Sequence, residues 1–322
     1  MKMKFHQLVL ATLLSGTVLS AADAKDLDYL SFQDLFGEPV TVGATGTPQR
    51  ASEVPVNMTI LTAADIKRSA ARNIPEVLRQ IPGVNVRQNG FNSYDVAIRG
   101  YNQPIAERIL VLIDGRQVWD NLPVTLDAIK QIEVIKGPNT ALYGFNATSG
   151  VINIITYNPR FDDYSSVSAS AGTNGYAQGN GTATWRNDRG GIRVTASGFS
   201  AEEFDGDTGG AGTFFANDNP YNRFFKANGT YEIVDGVDMG LEITNTESTT
   251  NVVFPTNTLF NDASEQNWSA KFNVGAETDL GTIDFVAYRN QSDAEFANTS
   301  EIALGTTTDV VQLSDTFKVG TD

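Results

Sequence analysis

The sequence predicts an α+β domain followed by a transmembrane antiparallel β-barrel of which about the first eight strands are present. Three observations carry that reading: an export signal at the start, inside-outside alternation through the second half, and strand connections that alternate short and long in phase.

Lys2 and Lys4 precede an apolar run from Leu8 to Leu19, and small residues ending Ala22-Asp23-Ala24 follow. A charged start, an apolar stretch and an A-x-A site mark a secretory signal, so residues 1–24 read as a signal peptide cut after Ala24. The run is shorter than the roughly 20 residues a spanning helix needs, and no later stretch approaches that length. Any membrane-spanning part of the mature chain must therefore be strand.

A formal charge of −15 argues against nucleic acid as a partner, because phosphates are met by cations. Cysteine is absent, and the single histidine, His6, lies inside the signal. The mature chain thus has neither Ser/His/Asp nor Cys/His catalysis and no thiolate or imidazole metal site. No catalytic residue, metal site or cofactor is expected, and the protein reads as a non-enzyme. Asp205-Gly206-Asp207-Thr208-Gly209 begins with a calcium-loop rhythm, but position five is Gly209 and position twelve is Ala216, where acidic or amide ligands would be needed.

From Lys25 to about Asn158 the pattern is mixed. Thr62-Ala63-Ala64-Asp65 and Asn73-Ile74-Pro75-Glu76 each have helix-start spacing, and Pro82-Gly83 should stop the second helix near Ile81. Val84 and Val86 then start a strand. Ile109 to Ile113, Asp114-Gly115 and Arg116 to Trp119 form a hairpin, because Asp-Gly accepts the positive φ of a two-residue turn. Ile132–Lys136 and Val151–Thr156 supply further strands.

Beyond Phe161 the period is two. Phe225, Ala227, Tyr231 and Ile233 alternate with Lys226, Asn228, Thr230 and Glu232; Met239, Leu241 and Ile243 alternate with Asp238, Glu242 and Thr244. Met239 and Leu241 are expected to face lipid and Glu242 the lumen, with Glu242→Gln nearly silent for folding. Strands are expected at 163–172, 176–187, 191–204, 221–234, 237–249, 265–278, 282–297 and 308–320. The links at Asp188-Arg189-Gly190, Asp235-Gly236 and Asp279-Leu280-Gly281 are tight, whereas those after the third, fifth and seventh strands are long and polar. A soluble core and a lipid-facing wall both produce such alternation. Short turns on one rim and long loops on the other are the outer-membrane layout, with the short side periplasmic. Trp185, Phe199, Phe204, Tyr221, Trp268, Tyr288 and Phe296 fall toward strand ends, where aromatic girdles sit.

Within Thr45 to Thr156, the blocks ILTAADIKRSAARNIPEVLRQIPGVNV, VAIRGY, ILVLIDGRQV, IEVIKGPNTALYG and GVINIIT stand in an order and spacing that resembles the plug domain of TonB-dependent outer-membrane receptors. At Asn146-Ala147-Thr148-Ser149-Gly150 the chain departs from relatives that carry a second glycine. The resemblance implies a plug seated in a barrel of about 22 strands. Eight strands would be roughly a third of that wall, so the chain reads as an N-terminal fragment. Division into a signal peptide (1–24), a TonB-box segment and linker (25–46), a plug (47–158) and a partial barrel (159–322) follows.

The implied activity is import across the Gram-negative outer membrane of a scarce ligand, such as a ferric siderophore or another metal chelate, cobalamin or similar. Its energy would be relayed by TonB and the inner-membrane complex that drives it. Glu38, Pro39, Val40, Thr41 and Val42 resemble the TonB box, a handle gripped by strand addition. The family places ligand contacts in apical plug loops, which here points to Arg87, Asn89, Phe91, Asn92, Tyr94, Tyr101 and Gln103. Arg99, Glu133 and Lys136 resemble the charged set that pairs plug with barrel. The alternative is a small outer-membrane barrel enzyme or adhesin with a periplasmic domain; such an enzyme normally needs a histidine.

Overall fold

The computed structural model describes residues 39–41, 49–100, 109–118, 124–143, 147–204, 219–253, 260–278, 281–297 and 302–317. The expected signal peptide lies outside them, as does the 205–216 segment.

A short ladder pairs β1 (Val40–Thr41) with β2 (Gln49–Arg50), antiparallel. The α+β domain follows, with β3 (Met58–Thr62) leading into α1 (Ala63–Arg68) and α2 (Ile74–Leu78). Both predicted caps are made. The Thr62 hydroxyl accepts from the Asp65 amide at 3.3 Å while the Asp65 carboxylate accepts from the Thr62 amide at 2.9 Å, a reciprocal capping box. Asn73 Oδ1 accepts from the Glu76 amide at 3.0 Å. The chain then forms a hairpin of β4 (Val84–Gly90) and β5 (Ser93–Ile98), followed by β6 (Ile109–Ile113), β7 (Arg116–Val118), β8 (Ile129–Lys136), α3 (Thr140–Tyr143) and β9 (Gly150–Thr156).

Five of these strands make one sheet in the order β3-β8-β9-β6-β7, with β6 parallel to β9 and the other pairs antiparallel. Ile132, Val134, Ile152 and Ile154 pack against the buried faces of α1 and α2 at Ile66, Ile74, Val77 and Leu78. Ile135, Val151, Leu110 and Leu112 fill a second cluster with Val54 and Ala147. Both faces of the central strands are therefore apolar, which is why they read as continuous hydrophobic runs. At Gly150 a Cβ would stand 2.5 Å from the Ile135 carbonyl oxygen and 2.7 Å from Ile98 Cδ1, so the start of β9 admits only glycine without a shift.

The second region is an open sheet of eight strands, each antiparallel to the next in sequence: β10 (Ser166–Ala171), β11 (Ala177–Arg186), β12 (Gly190–Ser200), β13 (Tyr221–Val234), β14 (Val237–Val253), β15 (Phe260–Thr278), β16 (Gly281–Ala297) and β17 (Ile302–Phe317). Leu241 and Ile243 are each 57% exposed on the outer face, whereas Glu242 between them is 7% exposed. The expected inside-outside register holds. β14, β15 and β17 extend further on the long-loop side than the alternation suggested, since polar residues keep pairing after the apolar face ends. The aromatic girdle is narrower than expected. Trp185, Tyr221 and Trp268 take outward positions, but Phe199, Tyr288 and Phe296 take inward ones, set by pairings such as Asn222 with Phe199 and Lys271 with Tyr288.

Candidate functional site

The α+β domain rests on the inner face of the wall through three groups of contacts. The first is built on the β6–β7 turn. Asp114 and Gly115 take φ of 48° and 78°, as a two-residue hairpin requires. The turn carries opposite charges on its two sides. Asp114 Oδ2 lies 2.6 Å from Lys226 Nζ on β13, its carbonyl accepts from Lys271 Nζ on β15 at 2.7 Å, and its carboxylate also accepts from the Thr156 amide and hydroxyl. Arg116 lies 3.4 Å from Glu242 on β14 and donates to Asn290 Oδ1 on β16 at 3.0 Å. Glu242 is in turn 2.9 Å from Lys226. Burial alone would raise the Asp114 carboxyl, but Lys226, the Thr156 amide and Lys271 overcome it and hold the group down at about 2.

The second group is the tip of the β4–β5 hairpin, on the long-loop rim. Phe91 is 5% exposed, its ring tilted against Tyr176, Phe199 and Phe204, with the Arg72 guanidinium 4.9 Å from its centroid. Its amide donates to Glu203 Oε1 at 2.7 Å. Next to it, Asn92 Nδ2 donates to the Thr249 carbonyl at 3.2 Å, and the Thr250 hydroxyl donates to the Asn92 carbonyl at 2.8 Å. Behind the tip, Tyr94 accepts from Asn73 and Gln88 and donates to Glu76 at 3.1 Å. Burial pushes the Tyr94 hydroxyl up to about 12, so it stays a neutral donor. Glu76, which burial would raise, is held below the usual carboxylate range by Arg72 at 2.5 Å.

The third group fixes the 157–165 connection between domain and wall. Arg193 on β12 donates to the carbonyls of Tyr157 and Asp162, Lys130 pairs with Asp162 at 3.0 Å, and Arg160 pairs with Glu232 at 2.7 Å and with Asp238. A Cβ on Gly191 would stand 2.1 Å from the Pro159 carbonyl oxygen, so this close approach needs glycine.

Several residues selected from sequence meet here. Phe91 and Asn92 are seated against the wall, Tyr94 supports the hairpin, and Arg87 pairs with Asp95 at 2.7 Å, an acid that also accepts from Asn89 at 2.9 Å. Tyr101 and Gln103 lie outside the described residues, as do Glu38 and Val42. Pro39 precedes the β1–β2 ladder in which Val40 faces Arg50 across the strands, and Thr41 is fully buried. Glu133 is buried and accepts from Gln131 at 2.8 Å and Asn153 at 3.0 Å; Lys136 donates to Thr59 and to the Pro82 carbonyl. Those bonds stay within the α+β domain. Arg99, with φ of 55°, donates its amide to the Gly83 carbonyl at 2.8 Å. Sequence reasoning missed Asp114, Arg116, Lys226, Glu242 and Lys271 as a group. A usable signal was present: Lys226, Glu242 and Lys271 are charges at inward positions in the middle of wall strands, where a charge needs a partner.

Residues 50–151 match the family model described as the TonB-dependent receptor plug domain. The vitamin B12 transporter BtuB of Vibrio vulnificus (strain CMCP6) is 33% identical over 188 residues, which covers 55% of this chain and 30% of that protein. Among solved structures, the ferric-catecholate import receptor Fiu of E. coli K12 matches with a TM-score of 0.61 at 17% identity, over 82% of this chain and 46% of its own. The alcaligin outer-membrane receptor FauA of Bordetella pertussis matches with a TM-score of 0.63 at 13% identity, over 80% of this chain and 43% of its own. The chain spans less than half the length of these relatives. A matching plug, a transporter relative and import-receptor structures that share the fold support a TonB-dependent receptor, of which this chain carries a plug domain and an open part of the barrel wall.

Proposed function

We propose that the protein containing this chain is an outer-membrane receptor that binds a scarce ligand at its outer mouth and imports it with energy relayed by TonB. The observation that carries the proposal is the seating of the plug. A domain clasped to the inner face of a lipid-facing wall blocks the lumen, and transport then requires work to move it. Residues 1–24 would direct export, 25–46 would present the TonB-binding segment, 47–158 would form the plug and 159–322 the barrel portion. Glu38, Pro39, Val40, Thr41 and Val42 are the handle in this reading, and the β1–β2 pairing would have to open before TonB could add its own strand. Ferric siderophores and cobalamin are the ligand classes in this reading, in line with relatives named for vitamin B12 transport and ferric-catecholate import. The activity is transport rather than catalysis.

The test is Val40→Pro in the full-length receptor. Proline removes an amide and fixes φ, so energised uptake should be lost while ligand binding persists. Uptake at the wild-type rate would sink the assignment.

A further inference from the structure

We infer that residues 157–165 are a fixed strap that belongs to the wall, not a hinge on which the plug swings. Its place in the molecule stands on its contacts, and its part in transport rests on the transporter reading above.

A hinge concentrates φ/ψ change in a few freely turning residues. Residues 157–165 run Tyr-Asn-Pro-Arg-Phe-Asp-Asp-Tyr-Ser, with no glycine and with the φ of Pro159 fixed by its ring. The segment also closes on itself. The Asn158 amide donates to Asp162 Oδ2 at 2.7 Å and the Arg160 amide to Asn158 Oδ1 at 2.9 Å. The Asp162 amide donates to the Asn158 carbonyl at 2.8 Å, and the Tyr164 amide to the Asp162 carbonyl at 3.0 Å. The rings of Tyr157 and Tyr164 stack with their centroids 4.4 Å apart.

The carbonyls of this closed turn are gripped from the wall. Arg193 on β12 is 2% exposed; its Nη2 donates to the Asp162 carbonyl at 2.7 Å, its Nη1 to the Tyr157 carbonyl and its Nε to Thr184 Oγ1 at 2.8 Å. A planar fork of donors lets one side chain hold two carbonyls at once, which the point charge of a lysine does not. Thr184 on β11 donates in turn to the Tyr164 carbonyl at 2.5 Å, and its amide donates to Ser165 Oγ at 3.0 Å. Arg160 reaches β13 and β14 through Glu232 and Asp238, and Gly191 lets Pro159 lie directly on β12.

The plug side of the strap is held differently. The Tyr157 amide donates to the Ala128 carbonyl at 3.2 Å, Lys130 pairs with Asp162 at 3.0 Å, and Lys67 lies 4.9 Å from the centre of the Tyr164 ring. Water can replace lysine heads at a partly exposed rim at little cost, whereas buried carbonyls stripped of Arg193 would go unsatisfied. When the plug is displaced, the seam therefore falls between the plug and the strap. A pull on the N-terminal segment would then act against a plug whose C-terminal end stays anchored.

The test is amide exchange in the full-length, ligand-free receptor reconstituted in lipid, followed as urea is raised in steps, which sorts amides into units that open together. The amides of Asn158, Arg160, Asp162 and Tyr164 should open with β11 and β12, at least about tenfold more slowly than those of β6 to β9. Arg193→Lys keeps the charge but loses the fork, and should speed exchange at those strap amides at least about tenfold while β11 and β12 change less than about twofold. If that variant does not insert, Arg160→Gln removes the anchor at the rim and should speed them at least about threefold. Strap amides opening with the plug strands, strap exchange unmoved by the substitution, or β11 and β12 loosening together with the strap would each overturn the inference. The transport reading is tested apart by Val40→Pro, and its failure would leave a strap that opens with the wall still standing.

Discussion

Lys226 on the wall stands 2.6 Å from Asp114 of the plug and 2.9 Å from Glu242 of its own sheet, so one buried cation ties two acids together across the domain boundary. Desolvating such groups is costly, and the arrangement holds because each charge has several partners. The pairing is crossed: the plug presents Asp114 to a wall cation and, two residues later, Arg116 to a wall acid. A plug displaced by even a residue's length would bring like charges together, so the clasp specifies where the plug sits.

Lys226→Met is expected to be the most damaging single change in the clasp. It leaves Asp114 and Glu242 buried without their shared cation, at a cost of about 3 to 5 kcal/mol. Faster amide exchange in the β6–β7 turn of the full-length receptor, with the wall unaffected, is the expected signature. Unchanged protection there would mean that the plug is held elsewhere.

The same clasp sets a pH dependence. The Asp114 carboxyl is lowered from 3.8 to about 2 in the folded protein, so its contribution is fully present above 3.8 and is lost as pH falls through about 2. That contribution is on the order of 2 kcal/mol. Plug protection should therefore be flat from neutrality down to about pH 4 and decline below it, and Asp114→Asn should weaken the decline, leaving the part that Glu242 contributes. A loss of protection in the wild type between pH 7 and 5 would show that another group controls the seating.

Neighbours on β14 separate the two faces of the wall. Leu241 faces outward, so Leu241→Arg should impair membrane insertion by roughly 2 to 4 kcal/mol near the midplane. Alternation alone also suggested that Glu242→Gln would be nearly silent. The geometry reverses that expectation, because Glu242 is paired with both Lys226 and Arg116. Losing the charge beside two buried cations should cost about 1 to 3 kcal/mol. A folding titration in lipid that finds Glu242→Gln neutral would contradict the clasp.

Much of the fold was legible because it rests on local rules. The Thr62 and Asn73 caps, the Asp114-Gly115 turn and the period-two alternation at 225–243 each follow from a few adjacent residues. The contacts between Asp114 and Lys226 span 112 residues of sequence, and those between Phe91 and Glu203 also span 112. No local pattern encodes which inward charge will meet which turn. Phe199 illustrates the limit: an aromatic near a strand end suits a girdle or a lumen equally well, and only register against Asn222 places it inward.

Phe91 decides between two roles for the plug's apical hairpin. Family resemblance marks it as a ligand contact, yet its ring is enclosed by Tyr176, Phe199, Phe204 and Arg72, and its amide is held by Glu203. A side chain so enclosed stabilises the hairpin by filling that pocket, and Phe91→Ala should cost about 3 to 5 kcal/mol of local stability. The hairpin would then detach from Glu203 and from Thr249 and Thr250, and its amides at 88–93 should exchange faster in the ligand-free, full-length receptor. Phe91→Leu keeps most of the apolar volume and should restore most of that protection. A direct ligand contact would behave differently: ligand-free exchange would be the same in wild type and both variants, and only affinity would fall. Measuring exchange before affinity therefore tells an anchor from a binding residue, and fast exchange confined to Phe91→Ala is the outcome expected.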